Sequence, residues 1–218
     1  MTTQPHAPRR PRVSVGLPVF NGATYLQEAV TSILAQRDVD LELIVSDNGS
    51  TDETPQILAS LARDEPRMHV HRSATNRGAA WNYNRTVDLA TGTYFKWAAH
   101  DDVLAPCFLA RCVDVLQRNP GVSLAYPRAV EIDSEGDVLG LHPPLRHADG
   151  LRPHDRAREV RLSPAPCLEG FGVVRTAQLR RTAMIGPYSA SDRTLLFQLA
   201  LLGRFHQVPE VLFLHRQH

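Results

Sequence analysis

Between Val13 and Ala98 the chain alternates short apolar runs with stretches of helical spacing. That alternation restricts the possible folds more than any other feature. Val13-Ser14-Val15-Gly16-Leu17-Pro18-Val19 and Leu41-Glu42-Leu43-Ile44-Val45 have the density of strands buried on both faces. Met68-His69-Val70 and the run from Thr93 to Ala98 read as a third and a fourth strand. Asn21-Gly22 turns the chain into a helix on which Leu26, Ala29, Val30, Ile33 and Leu34 recur with helical spacing. Pro55 falls in the first turn of a second helix carrying Ile57, Leu58 and Leu61, and a third helix is predicted from about Ala79 to Leu89. Strands that alternate with helices predict an α/β fold, with a mostly parallel central sheet flanked by helices. Ligands of such sheets bind beyond the carboxyl ends of the strands. Pro18-Val19-Phe20-Asn21, Asp47-Asn48 and Asp101-Asp102 all fall there.

Downstream, a helix is predicted from Pro106 to about Arg118, with Phe108, Leu109, Cys112, Val113 and Leu116 on its core face. Val122 to Tyr126 reads as a strand, and Glu131 to Leu141 as a hairpin around Ser134-Glu135-Gly136-Asp137. The stretch from His142 to Ser163 is rich in Pro, Arg, His and Asp and lacks periodicity, so it reads as a loop able to order over a ligand. A last helix starts near Asp192, shows Leu195, Leu196, Leu199 and Leu202, and stops at Gly203. A closing strand pair runs from Phe205 to Val208 and from Val211 to His215. Residues 1–12 read as a flexible tail and residues 13–218 as one domain.

Composition narrows the class. In a chain of 218 residues, 43% hydrophobic and 22% charged residues match a soluble globular domain. A net charge of +1 exerts no general pull on nucleic acid, and none is expected as a partner. Cys107, Cys112 and Cys167 form no CxxC pair, which suits a reducing compartment. The first dozen residues lack the apolar core of a signal peptide, and no run has the length of an integral membrane segment. A cytoplasmic location is the expectation.

Adjacent carboxylates such as Asp101-Asp102 repel each other and both lose water, a cost that a bound cation offsets. The plainer alternative makes Asp102 the cap of the helix whose first turn holds Pro106. As a metal site the pair would take Mg²⁺ or Mn²⁺ through oxygen, with a diphosphate supplying further ligands. The chain has no GxxxxGK[ST] and no GxGxxG, so no glycine cradle holds phosphate. Arg77, beside Gly78, is the nearby cation that could assist. Asp47 has two readings of equal weight, as a turn residue or as a fixed acceptor for the N–H of a nucleobase. Ser50, Thr51 and Asp52 read as capping and turn residues. Asp192, at a helix start, serves as a first-turn acid or as a general base on an acceptor hydroxyl. His215 and His218 are terminal histidines, solvated or partners of a metal.

Taken in order, these segments resemble family 2 glycosyltransferases. Val13 to Gly22, Ser32-Ile33-Leu34-Ala35-Gln36 and Asp47-Asn48-Gly49-Ser50-Thr51-Asp52 are similar to the opening of that family. Asn76-Arg77-Gly78, Asn84, Ala90-Thr91-Gly92-Thr93-Tyr94 and His100-Asp101-Asp102 continue the pattern. Ser191-Asp192, Leu195-Leu196, Leu199, Gly203-Arg204-Phe205, Val208-Pro209-Glu210 and Arg216-Gln217-His218 resemble its C-terminal half. The resemblance implies a GT-A fold, a nucleotide-diphosphate-sugar donor, a divalent metal (Mn²⁺ or Mg²⁺) and inversion at the anomeric carbon. Residues 13–102 would form the nucleotide-binding half and residues 103–218 the acceptor-binding half.

Carried over residue by residue, Pro18 and Phe20 would line the nucleoside pocket and Asp47 would accept a hydrogen bond from the base. Arg77 would lie near the base or diphosphate, and Asp101 would face the ribose or metal. Asp102 and His218 would ligate the metal, and Asp192 would be the catalytic base. The acceptor would be a saccharide, a lipid-linked sugar or a small molecule, and a homodimer is compatible with this set. The family commonly has a further Asp where this chain has Ala99, and a Glu where it has Ser191. Two other readings account for fewer residues. A sugar-1-phosphate nucleotidylyltransferase would want a glycine-rich basic loop after the first strand, and a non-catalytic nucleotide-sugar-binding module would have no use for Asp192.

Overall fold

The computed structural model describes residues 12–143, 149–150, 152–163 and 166–217. The expected tail over residues 1–12 thus lies almost wholly outside the described residues, as does His218. The first strands and helices follow the sequence pattern closely: β1 (Arg12–Val19), α1 (Ala23–Leu34), β2 (Asp40–Asp47), α2 (Thr54–Ala62), β3 (Met68–Arg72), α3 (Ala79–Leu89) and β4 (Tyr94–Trp97). Then come β5 (Val103–Leu104), α4 (Phe108–Arg118), β6 (Val122–Ile132), β7 (Val138–Leu141), α5 (Pro153–Leu162), a 3-10 turn (Leu168–Phe171), β8 (Val173–Arg175), α6 (Thr176–Leu179), α7 (Ser191–Leu202) and β9 (Arg204–Arg216). One sheet takes the spatial order β3-β2-β1-β4-β8-β6-β9-β5, and β7 pairs with β6.

The long pairings, β1 with β2 and β6 with β9, are parallel, as are β1 with β4 and β2 with β3. Antiparallel contacts are short and join the second half to the first through β8. Each face of the sheet has its own core. Leu26, Val30 and Ile33 of α1 and Phe108, Leu109 and Leu116 of α4 cover one. Val87 of α3 and Leu195, Leu196 and Leu199 of α7 cover the other. Among the described residues no helix is long and apolar enough to cross a membrane.

Three expectations are corrected. The stretch from His142 to Ser163 is no plain loop, because α5 runs from Pro153 to Leu162. Its buried face carries Arg156 beside Ala157 and Val160, and Arg156 donates to the carbonyls of Ala200 and Gly150. A charged residue on the core face hid the helical period. The closing strand pair is one strand, β9, whose register against β6 jumps from Pro127–Val208 to Arg128–Val211. Pro209-Glu210 reads as a turn in sequence but is absorbed as an irregularity within the strand. Finally, Asp102 does not cap α4. It leads into β5, and the helix starts at Phe108 after Cys107, with no side-chain cap.

The packing of α3 on the sheet depends on Gly16. A Cβ built there would lie 2.4 Å from Thr86 Oγ1 and 2.7 Å from the Phe95 ring. Gly16→Ala is expected to destabilise the fold by about 2 kcal/mol, the usual size of an overpacking strain, as measured by urea unfolding. An unchanged midpoint would show that α3 shifts away without cost.

Candidate active site

The strand ends form a corner because β1 stops pairing with β4 early, while it pairs with β2 to its end. Ser14 and Gly16 turn their backbone groups towards β4, and the Gly16 carbonyl accepts from Ala98 N–H at 2.8 Å. Pro18 is next in that alternation and has no N–H to give, so pairing ends and residues 98–102 leave the sheet. Pro18 itself is buried, whereas Phe20 just beyond is 41% exposed and presents its ring at the strand end. His100 packs into the space left by Gly22, where a Cβ would come within 2.3 Å of its ring. The acid pair therefore rests on the turn between β1 and α1.

Asp102 is almost wholly buried. Its Oδ1 accepts from Arg216 N–H at 3.0 Å and lies 3.0 Å from His215 Nδ1. Its Oδ2 is buried without a hydrogen-bond partner. The hydrogen bond and charge of Asp102 make His215 hold its proton to higher pH than usual, against the effect of burial. Arg216 secures the rest of the corner: its guanidinium donates to the carbonyls of Asp101, Asp133 and Ser134 and to Glu28 Oε2, and it lies over the Tyr25 ring.

A buried carboxylate oxygen left unpaired is costly unless something else meets it. The donor set suits a hard divalent ion that draws its remaining ligands from phosphate oxygens. Among the described residues no cluster of three or more His, Cys, Asp or Glu side chains is arranged as a full protein cage. Of the expected metal ligands, Asp102 is buried at the corner with its Oδ2 free of hydrogen bonds and His218 lies outside the described residues, while His215 is the histidine that meets Asp102.

Asp47 closes the second strand end. Ser50 N–H donates to its Oδ1 at 2.9 Å, and its buried Oδ2 lacks a hydrogen bond and lies 3.2 Å from Arg72 Nε. The turn reading of its neighbours holds: Asp52 accepts from the N–H groups of Ala23 and Thr54, and Ser50 Oγ accepts from Asn21 N–H. Asn48 fixes the next loop by accepting from Arg77 N–H and donating to Asn76 and Gly78. The Arg77 guanidinium lies 4.1 Å above the Trp81 ring and lines an outer groove of about 650 Å³.

That groove shares Ala79, Ile185 and Ser191 with a deeper cavity of about 190 Å³ containing Asp192. Asp192 stands in the first turn of α7, exposed, and its Oδ1 accepts from Arg193 N–H. Tyr83, Trp97 and Phe171 supply aromatic walls of this cavity, and Cys167 lines it as well. Burial pushes the Tyr83 phenol up to about 12, and the negative charges of Asp101, Asp102 and Asp192 add to the shift. One phenol thus stands within electrostatic reach of both the acid pair and Asp192, which are far apart in sequence. Sequence reasoning missed Tyr83, Trp97, Arg72 and Arg216. Arg216 alone carried a signal, as a charged residue ending an apolar strand.

Arg216→Met should cost about 3 kcal/mol of stability, the scale for leaving buried polar partners unmatched. Arg216→Lys should fail to rescue it, since an ammonium cannot span four acceptors. Urea unfolding of both variants checks this, and a wild-type midpoint for the lysine variant would contradict it.

Comparison with known proteins places the geometry in context. The model for "Glycosyl transferase family 2" matches residues 14–171. A chondroitin synthase of Pasteurella multocida is 31% identical over 134 residues, which are 62% of this chain and 14% of that protein. Among solved structures, S. aureus TarS 1-349 in complex with UDP-GlcNAc superposes with a TM-score of 0.76 at 19% identity, covering 95% of this chain and 59% of that one. The mannosyltransferase PcManGT from Pyrobaculum calidifontis, in complex with GDP-Man and Mn²⁺, gives 0.68 at 23% identity, covering 95% and 57%. These likenesses establish a GT-A fold, and the chain spans only part of each relative.

Proposed function

The chain belongs to glycosyl transferase family 2, and we propose that it moves a sugar from a nucleotide-diphosphate donor to an acceptor hydroxyl with inversion at the anomeric carbon. The observation that carries this reading is a pair of features that both bear on Tyr83. A buried carboxylate oxygen of Asp102 lacks a hydrogen-bond partner, and Asp192 lines an aromatic cavity whose Tyr83 wall lies within electrostatic reach of Asp102.

In this reading Asp102, with His218, would hold Mn²⁺ or Mg²⁺ for the donor diphosphate, and Asp101 would face the ribose or the metal. Bound there, the ion would neutralise charge on the departing nucleoside diphosphate. Solved relatives of this fold with UDP-GlcNAc, and with GDP-Man and Mn²⁺, support the choice of ligand class. Phe20 offers a ring for the base to stack on. Asp47 Oδ2 is the acceptor for a base N–H, and Arg72 is the side chain that must yield for the base to reach it. Pro18 acts by ending the β1–β4 ladder, and Arg77 attends the base or diphosphate.

Residues 13–102 would therefore serve the donor and residues 103–218 the acceptor. Asp192 takes the proton of the acceptor hydroxyl as its oxygen forms the new bond to the anomeric carbon, while the bond from that carbon to the diphosphate breaks. Tyr83 and Trp97 give the sugar rings apolar faces and keep water from the reacting centre. The acceptor is a saccharide, lipid-linked sugar or small molecule.

Asp192→Asn should lower kcat by roughly 10²–10⁴-fold with little change in donor binding. Transfer from UDP- and GDP-sugars in Mn²⁺ is the assay, and full activity would remove Asp192 as the base. Asp102→Asn keeps an acceptor for Arg216 N–H but removes the negative charge. It should abolish stimulation by Mn²⁺, and an unchanged metal titration would overturn the ligand assignment.

A further inference from the structure

Lys96 is fully buried in the middle of β4, yet among the described residues no carboxylate lies within salt-bridge range of it. Its Nζ donates to the carbonyl of Trp97 at 2.7 Å. The same nitrogen stands over three phenylalanine rings, 4.8 Å from the centroid of Phe108, 5.4 Å from Phe213 and 5.9 Å from Phe171. An ammonium in such a place keeps one strong hydrogen bond and otherwise relies on ring faces. Burial lowers its pKa to about 7, with Asp102 and Cys112 pulling it upward. Those are the titratable groups that bear on it, from the β4 exit and from α4.

Strand geometry explains why a lysine is used. Alternation along β4 turns Ala98 towards β1, where its N–H meets the Gly16 carbonyl. The carbonyl end of that same peptide, from Trp97, points the other way, towards β8. That strand, however, pairs only with Tyr94 and Phe95. The Trp97 carbonyl has therefore run out of strand partners inside the core, where an unmet acceptor costs about 1–3 kcal/mol. Lys96 supplies the donor from its own strand.

What this bond fixes matters for catalysis. The Trp97 indole is a wall of the cavity holding Asp192, and its Nε1 donates to the Tyr83 carbonyl at 3.0 Å. Immediately beyond lies the unpaired segment that ends in Asp101-Asp102. We propose that Lys96 is a positioning residue for glycosyl transfer, its side-chain N–H locking the last peptide of β4 so that the Trp97 wall and the acid pair keep their places. The assignment rests on the transfer reading above.

Lys96→Met removes the donor, whereas Lys96→Gln keeps a donor and removes the charge. Both are placed in a Trp81→Phe chain, which leaves Trp97 as the sole tryptophan of the two. Lys96→Met is expected to raise acrylamide quenching of Trp97 severalfold. It should also weaken Mn²⁺-dependent binding of UDP or GDP by roughly fivefold, the worth of one ordinary hydrogen bond. Lys96→Gln should stay close to the parent in both. Unchanged quenching and binding in Lys96→Met, or equal damage from both substitutions, would overturn the assignment. If Lys96→Met does not fold, Lys96→Gln decides alone: retained shielding and affinity support the assignment, and loss of both refutes it. Should the unsubstituted chain, with Trp81 in place, bind neither nucleotide with Mn²⁺, the transfer reading fails, while the quenching comparison still tests the Lys96–Trp97 tie.

Discussion

The site depends on the tie between Asp102 and the end of β9. Two neighbouring carboxylates at a strand exit repel each other, and an unsupported loop would let them part into solvent. Here Asp102 Oδ1 is met by Arg216 N–H and by His215, and the Arg216 side chain reaches back to the Asp101 carbonyl and across to α1. The second half of the sheet thus clamps the acids that leave the first half. One oxygen of Asp102 is satisfied by the protein and the other is left over. That division lets a carboxylate be both a rigid structural element and an available ligand.

A second constraint acts from inside the sheet. Pro18 ends pairing on one side of β4, and the short reach of β8 ends it on the other. The chain is freed at Trp97 on both sides, at the point where the acid-bearing segment begins. Lys96 and Gly16 hold the two ends of the last peptide group, Trp97–Ala98, before that release. A strand end that carries chemistry is therefore fixed by its final hydrogen bonds, not by length.

Much of the fold was legible because buried parallel strands and amphipathic helices leave strong periods. α3 matches its expected span from Ala79 to Leu89, and β1, β2 and α7 differ at their ends by a few residues. The failures share a cause. Arg156 occupies a core position on α5, and Pro209-Glu210 interrupts β9 without ending it. In both places tertiary contacts override the local signal. β5 is two residues long and exists only through its pairing with β9.

The site was legible in its acids and opaque in their supports. Asp47, Asp101-Asp102 and Asp192 stand at strand ends or a helix start, where pattern alone draws notice. Tyr83 lies inside α3, and Arg72, Trp97 and Arg216 end β3, β4 and β9; their roles come from partners that local pattern does not show, as in the reach of Arg216 to Glu28. The central claim, a single displacement between a donor at the acid pair and an acceptor at Asp192, is tested most directly by the stereochemistry of the product. With an α-linked nucleotide sugar, proton NMR of the initial product should show a β linkage. A retained α linkage would contradict the account.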